Sequence, residues 1–120
     1  MTLPLLLLAC ICASLVHHVH NAELLEQYPN MPAWLSRWHV YAAWLGTTVI
    51  GLAGYWSLRR GYRLTATALL TAYGIYGLDS LVHYLRAPVS AHTLTMNLSI
   101  WFEAAAAAAL LVALLLRRYQ

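Results

Sequence analysis

Four apolar runs separated by short polar turns organise this chain. They cover residues 3–25, 33–58, 64–85 and 91–116. None alternates strictly, as a half-buried strand would. Each reaches the roughly 20 residues that a helix needs to cross the hydrocarbon core of a bilayer. Only helices and closed barrels satisfy their own backbone there. The pattern predicts an all-α fold, an integral membrane four-helix bundle forming one domain over residues 1–120. Its helices fall at about 3–26, 33–58, 64–86 and 91–117.

The turns carry their own signals. QYPNMP at 27–32 holds two prolines, and Asn30 is the expected cap of a helix beginning near Pro32. RRGYR at 59–63 turns around Gly61, and RAPVS at 86–90 offers Ser90 as a cap. Connections this short make consecutive helices antiparallel neighbours, so the bundle runs up-down-up-down. Arg59, Arg60, Arg63, Arg117 and Arg118 fall on one face with the amino terminus, and Arg37 and Arg86 on the other. The arginine-rich face is expected in the cytoplasm with both termini, and the bacterial inner membrane is the expected location. Tyr28, Trp34 and Trp38 suit the outer interfacial belt, and Tyr55, Trp56, Tyr62 and Tyr119 the inner one.

Composition agrees. The chain is 62% apolar and 9% charged, where a soluble domain carries roughly 25% charged residues. A chain of 120 residues has too little interior to hide so much apolar surface from water. The net charge of +3 comes from arginines at segment ends and forms no patch, so no nucleic-acid partner is expected. The expected partners are the lipid bilayer and either another membrane protein or a second copy of the chain. Leu7-Leu8-Ala9-Cys10 loosely matches a lipoprotein signal. No basic residue precedes it and the apolar run before Cys10 is short, so the first helix is expected to be retained. Cys10 and Cys12 point to different sides of one helix, which predicts no disulfide.

The histidines change the picture most. The chain has six. His17, His18 and His20 end the first helix, His39 starts the second, His83 ends the third and His92 starts the fourth. All six fall on the outer face, periplasmic in the expected orientation. Glu23, Glu26 and Asp79 lie on the same side, and Glu103 lies deeper, about 16 Å along the fourth helix from His92. At 100° per residue, His17, His20 and Asn21 share a stripe while His18 points away. Tyr76, Asp79, Ser80 and His83 share another, as do His92, Thr95, Met96, Ser99 and Glu103. On the second helix Ala42, Ala43, Gly46, Ala53 and Ser57 make a small-residue stripe suited to close packing. His92 in a helix first turn is expected to be neutral.

Ionisable residues inside a membrane are costly and usually mark a site. His17 with His20, and Asp79 with His83, are spaced to reach one ion, and His92 lies at the same depth. His17, His20, Asp79, His83 and His92 are therefore the candidate ligands of a transition metal, namely zinc, copper or iron. A b-type haem held between facing histidines belongs to the same class. Two other functions compete. The first is a membrane enzyme doing His/Glu acid–base chemistry on a lipid-like substrate, with Glu103 as candidate catalytic residue. The second is a non-catalytic subunit of a membrane complex. Against all three stands the plain alternative of interfacial histidines that only meet water and headgroups, which suits His18 and His39 best.

Overall fold

A computed structural model of the chain describes residues 2–117; Arg118 and Tyr119, assigned above to the inner face, lie outside them. The described residues are all-α, with four long helices and no strand. Helix α1 is Leu3–Glu23, α2 is Arg37–Arg59 and α3 is Arg63–Leu78. The chain runs on from α3 through a 3-10 stretch, Asp79–Val82, into a one-turn helix, α4 (His83–Arg86). Helix α5 is Leu94–Arg117. Both α2 and α5 pack against α1, and the same two pack against α3, so the four long helices close a ring. Two of them, α1 and α5, are long and apolar enough to cross a membrane.

Local chemistry explains the boundaries and moves three of them. Helix α1 stops at Glu23 because Leu24 leaves the helical region and residues 25–27 tighten into a 3-10 turn. Pro29 and Pro32 then prevent the helix from resuming. Asn30 does not cap α2. It adopts φ 56, and its Nδ2 donates to the Arg86 carbonyl at 2.8 Å, tying this loop to the end of α4. The cap is Ser36, whose N–H donates to His39 Nδ1 at 3.1 Å; His39 takes the place a glutamate holds in a capping box. Helix α5 is capped by Thr93, which accepts from the Met96 N–H at 3.3 Å. Ser90 lies in a 3-10 turn over Val89–Ala91, and His92 follows in extended backbone (φ −102, ψ 146). His92 is therefore not in a helix first turn, and the dipole argument for it lapses.

The turn at Gly61 is as predicted. Gly61 sits at φ 86 and the Tyr62 N–H donates to the Ser57 carbonyl at 3.0 Å, which closes the end of α2 in the Schellman manner. Nearby lies the main apolar core, built from Leu3, Leu6, Leu7, Cys10, Leu70, Tyr73 and Leu110. Close packing on α2 runs through Gly51 and Gly54, not Gly46. A methyl group on Gly54 would stand 2.9 Å from Leu70 Cγ, whereas one on Gly46 would meet nothing within 4 Å.

Candidate functional site

The structure places the site by bending the third helical run. Ser80 Oγ donates back to the Gly77 carbonyl at 3.1 Å. Such back-bonding beside a glycine bends a helix, and residues 79–82 follow as a 3-10 turn. Four residues of 3-10 helix advance the phase by about 120°, against about 40° in an α-helix. Asp79 and His83 therefore part company: His83 is buried and Asp79 is exposed. Tyr76 is exposed as well, so the predicted stripe survives only as Ser80 and His83.

Four histidines surround one tyrosine. Tyr28 is buried, not interfacial. Its ring centre lies 4.8 Å from that of His83 and 6.4 Å from those of His17 and His92. Its hydroxyl is hydrogen-bonded to His20 Nδ1 at 2.8 Å. Burial pushes the Tyr28 phenol up to about 12, so it stays neutral across the physiological range and donates to His20 when Nδ1 carries the lone pair. Around it, the rings of His17 and His83 are 5.3 Å apart, and those of His83 and His92 6.1 Å. His17, His83 and His92 are buried.

Hydrogen bonds assign the ring nitrogens. Ser99 Oγ gives its single proton to the Met96 carbonyl at 2.9 Å. It must then accept from His17 Nδ1–H at 3.1 Å, which leaves the lone pair on His17 Nε2. His92 Nδ1–H donates to the Pro88 carbonyl at 3.0 Å, and the buried His92 Nε2 has no protein partner. The Asn21 amide lies 2.9 Å from His83 Nε2, while Asn21 Oδ1 and His83 Nδ1 have no partner. With the amide oxygen toward the ring, Asn21 accepts Nε2–H and His83 Nδ1 carries the lone pair; both amide orientations share these heavy-atom positions. Asn97 holds the backbone carrying His92. Its Nδ2 donates to the Val89 and His92 carbonyls at 3.2 and 3.3 Å, and its Oδ1 accepts from the Tyr84 hydroxyl at 2.7 Å.

A second group lies deeper. Glu103 is 4% exposed, with Oε2 3.8 Å from His17 Nε2 and Oε1 3.8 Å from His18 Nδ1. These separations are too long for hydrogen bonds, and Oε2 has no partner. His18, expected to point away, instead donates from Nδ1 to the Ser14 carbonyl at 2.8 Å and turns its ring inward beside Glu103. Glu103, His18 and Asp79 line a cavity of about 190 Å³. An adjoining cavity of about 170 Å³ shares those three residues and reaches His17 and His83.

Of the five candidate ligands, the structure gathers His17, His83 and His92. His20 is half-buried and joins them through the Tyr28 hydroxyl. Asp79 belongs to the cavity with Glu103 and His18. His39 caps α2. Among the described residues, no group of three His, Cys, Asp or Glu side chains is placed to hold a metal ion. Tyr28 was missed because an aromatic in a proline-rich turn reads as an interfacial anchor. Its one local signal was its place between a helix stop and Pro29, where the chain must fold back. Asn97 gave no signal beyond being a lone amide in an apolar run. Compared with protein-family models, with curated proteins and with solved structures, the chain matches none.

Proposed function

We propose that this chain is a membrane-spanning four-helix protein whose outer half binds one transition-metal ion through His17, His83 and His92. The observation that carries the reading is the state of the ring nitrogens. His17 and His92 each donate one N–H to a fixed oxygen and turn the other nitrogen, with its lone pair, inward. Ligand histidines almost always donate their second N–H in this way. His83 reaches the same state once the Asn21 amide is turned over, so that its oxygen accepts the Nε2–H in place of the nitrogen that faces it now. Two imidazoles on one ion, at about 2.0–2.1 Å each, keep their ring centres roughly 5–6.5 Å apart. The separations here are 5.3 and 6.1 Å. Both separations are measured from His83, so binding also requires His17 and His92 to close on the same point.

Three imidazoles suit zinc, copper or iron. The cavity of about 170 Å³ that opens onto His17 and His83 is smaller than the 300–1,000 Å³ of a drug-sized ligand site, which favours a bare ion over a haem.

The membrane reading rests on inverted burial. Leu45, Val49, Leu52, Leu98, Phe102, Val112 and Leu115 face outward, while His17, Asn21, Asn97, Ser99 and Glu103 are buried. Helix α3 has 16 residues, about 24 Å, short of the roughly 30 Å core. With the 3-10 stretch and α4 the run is long enough. The bundle is up-down-up-down, with the Arg59–Arg63 turn in the cytoplasm and the histidines facing the periplasm of a bacterial inner membrane.

Metal stoichiometry on purified, tag-free protein tests the site. The parent is expected to hold about one equivalent, and His83→Ala and His92→Ala are expected to lose it. A parent holding under about a tenth of an equivalent after supplementation overturns the metal reading. Full occupancy in both variants overturns the ligand set. Reporter fusions at the carboxyl terminus and in the 86–90 loop test orientation, and a periplasmic carboxyl terminus sinks it.

A further inference from the structure

The cavity beside Glu103 is not needed to hold the metal, and its chemistry is different. Two carboxylates, Glu103 and Asp79, line it together with Tyr73 and Tyr76, and no arginine does. Glu103 is buried with Oε2 unpartnered, and the buried Tyr73 hydroxyl is unpartnered as well. Asp79 is exposed, so it stands at the mouth, and no ion pair holds it among the described residues. His18 lines it too, with its Nδ1–H already given to the Ser14 carbonyl, and the other walls are small, with Gly74, Gly77 and Ala107 among them. A volume of about 190 Å³ exceeds the 150 Å³ apolar cavity that accepts benzene.

We propose that this cavity binds a small protonated amine with an aromatic or compact alkyl body. A buried acid with a free acceptor oxygen needs a donor, and a cation supplies a charge-assisted one. The tyrosine faces favour the same charge. A neutral ring of equal size satisfies the apolar walls but not the carboxylates. An inorganic cation satisfies the carboxylates but leaves the walls unfilled. Entry is past Asp79, which meets the ammonium group first and hands it to Glu103.

Thermal shift and calorimetric titration of the full chain in detergent, with benzylamine and benzyl alcohol as probes, test the proposal. Benzylamine is expected to bind at least tenfold tighter than benzyl alcohol. Glu103→Gln is expected to bring that preference below twofold, and Asp79→Asn to reduce it less. Ala43→Leu, on an exposed stretch of α2 that lines the same cavity, is expected to abolish binding of both probes with helicity unchanged. Equal binding of the two probes overturns the proposal, as does a tenfold preference kept in Glu103→Gln. An amine coordinated to the metal instead keeps its affinity in Glu103→Gln and loses it in His92→Ala, which also overturns it. Undiminished binding in Ala43→Leu moves the probe to another place and has the same force.

Discussion

The end of the bundle near Gly61 and the end near Tyr28 are built on opposite principles. Near Gly61 the interior is hydrocarbon. Leu3, Leu6, Leu7, Leu70 and Leu110 interlock, and Gly51 and Gly54 let α2 approach α3 closely. Near Tyr28 the interior is imidazole, amide and phenol, and several of its polar atoms have no protein partner. The first end is closely packed, and the Tyr73 hydroxyl at its inner edge is its one unpartnered core group. Buried polar groups without partners usually mark a ligand, an ion or water, and this second end is the one at which the metal is proposed.

The largest effect should come from breaking the packed end. Gly54→Val places side-chain atoms where a Cβ is already 2.9 Å from Leu70 Cγ and 3.1 Å from the Leu70 backbone nitrogen. Backbone cannot swing aside, so the cost should reach about 3 kcal/mol, the upper range for overpacking. Gly46→Val, eight residues earlier on the same helix, meets open space and should stay within about 0.5 kcal/mol. Denaturant unfolding in micelles measures both. Equal costs would mean that the close approach at Gly54 does not hold the packed end together.

Next in size is the loss of metal. On the proposed site, His92→Ala should weaken binding by at least a hundredfold, because it removes one of the three proposed ligands. Protons compete for the same ring nitrogens, so acid opposes the metal and never favours it. Competition titrations carried down in pH as far as the fold survives read the sign, and an affinity that rises with acid would remove imidazole from the ligand set.

The contrast between the ends explains what the sequence could disclose. Helix number and type were legible because periodicity and length report burial over many residues at once. Gly61 was legible because a turn there needs a positive φ. The site was legible only in part. His17, His83 and His92 share a depth, and depth follows from counting along helices. Asp79 was misplaced because helical phase was carried through a stretch that is 3-10, and a single Ser80 back-bond to Gly77 is invisible in a hydropathy pattern. His18 was misplaced for a related reason. Phase gives the side of a helix, but the 3.8 Å separation from Glu103 depends on how α1 is rotated against α5. Tyr28 was missed because loops have no period.

Asn97 sharpens the comparison from the polar end. It touches no candidate ligand side chain, yet it bonds the backbone that presents His92. It is a positioning residue. Asn97→Ala should lower metal affinity by about tenfold, the lower range for such supporting groups, with helicity retained. Asn97→Asp keeps the acceptor for Tyr84 but loses both donors, and should fall as far. Unchanged affinity in both variants would show that the Val89–His92 loop holds itself.

The smallest effect expected is at Tyr28, and its pH dependence identifies it. Tyr28→Phe keeps the ring among four histidines and removes only the hydroxyl that is hydrogen-bonded to His20 Nδ1 at 2.8 Å. A hydrogen bond of this kind contributes about 1 kcal/mol net, so near pH 8 the variant should be less stable by that amount. Burial raises the phenol from its ordinary 10.0 to about 12 in the folded chain. The unfolded chain therefore loses this proton first as pH rises. The contribution is complete below pH 10 and is lost as pH climbs toward 12. Phenylalanine has no proton to lose, so the parent's advantage should shrink between pH 8 and 11.5 and can reverse. Unfolding of both proteins at those two pH values is the measurement. A constant difference would mean that the Tyr28 hydroxyl reaches water in the folded chain and that the imidazole cluster is open where the structure closes it.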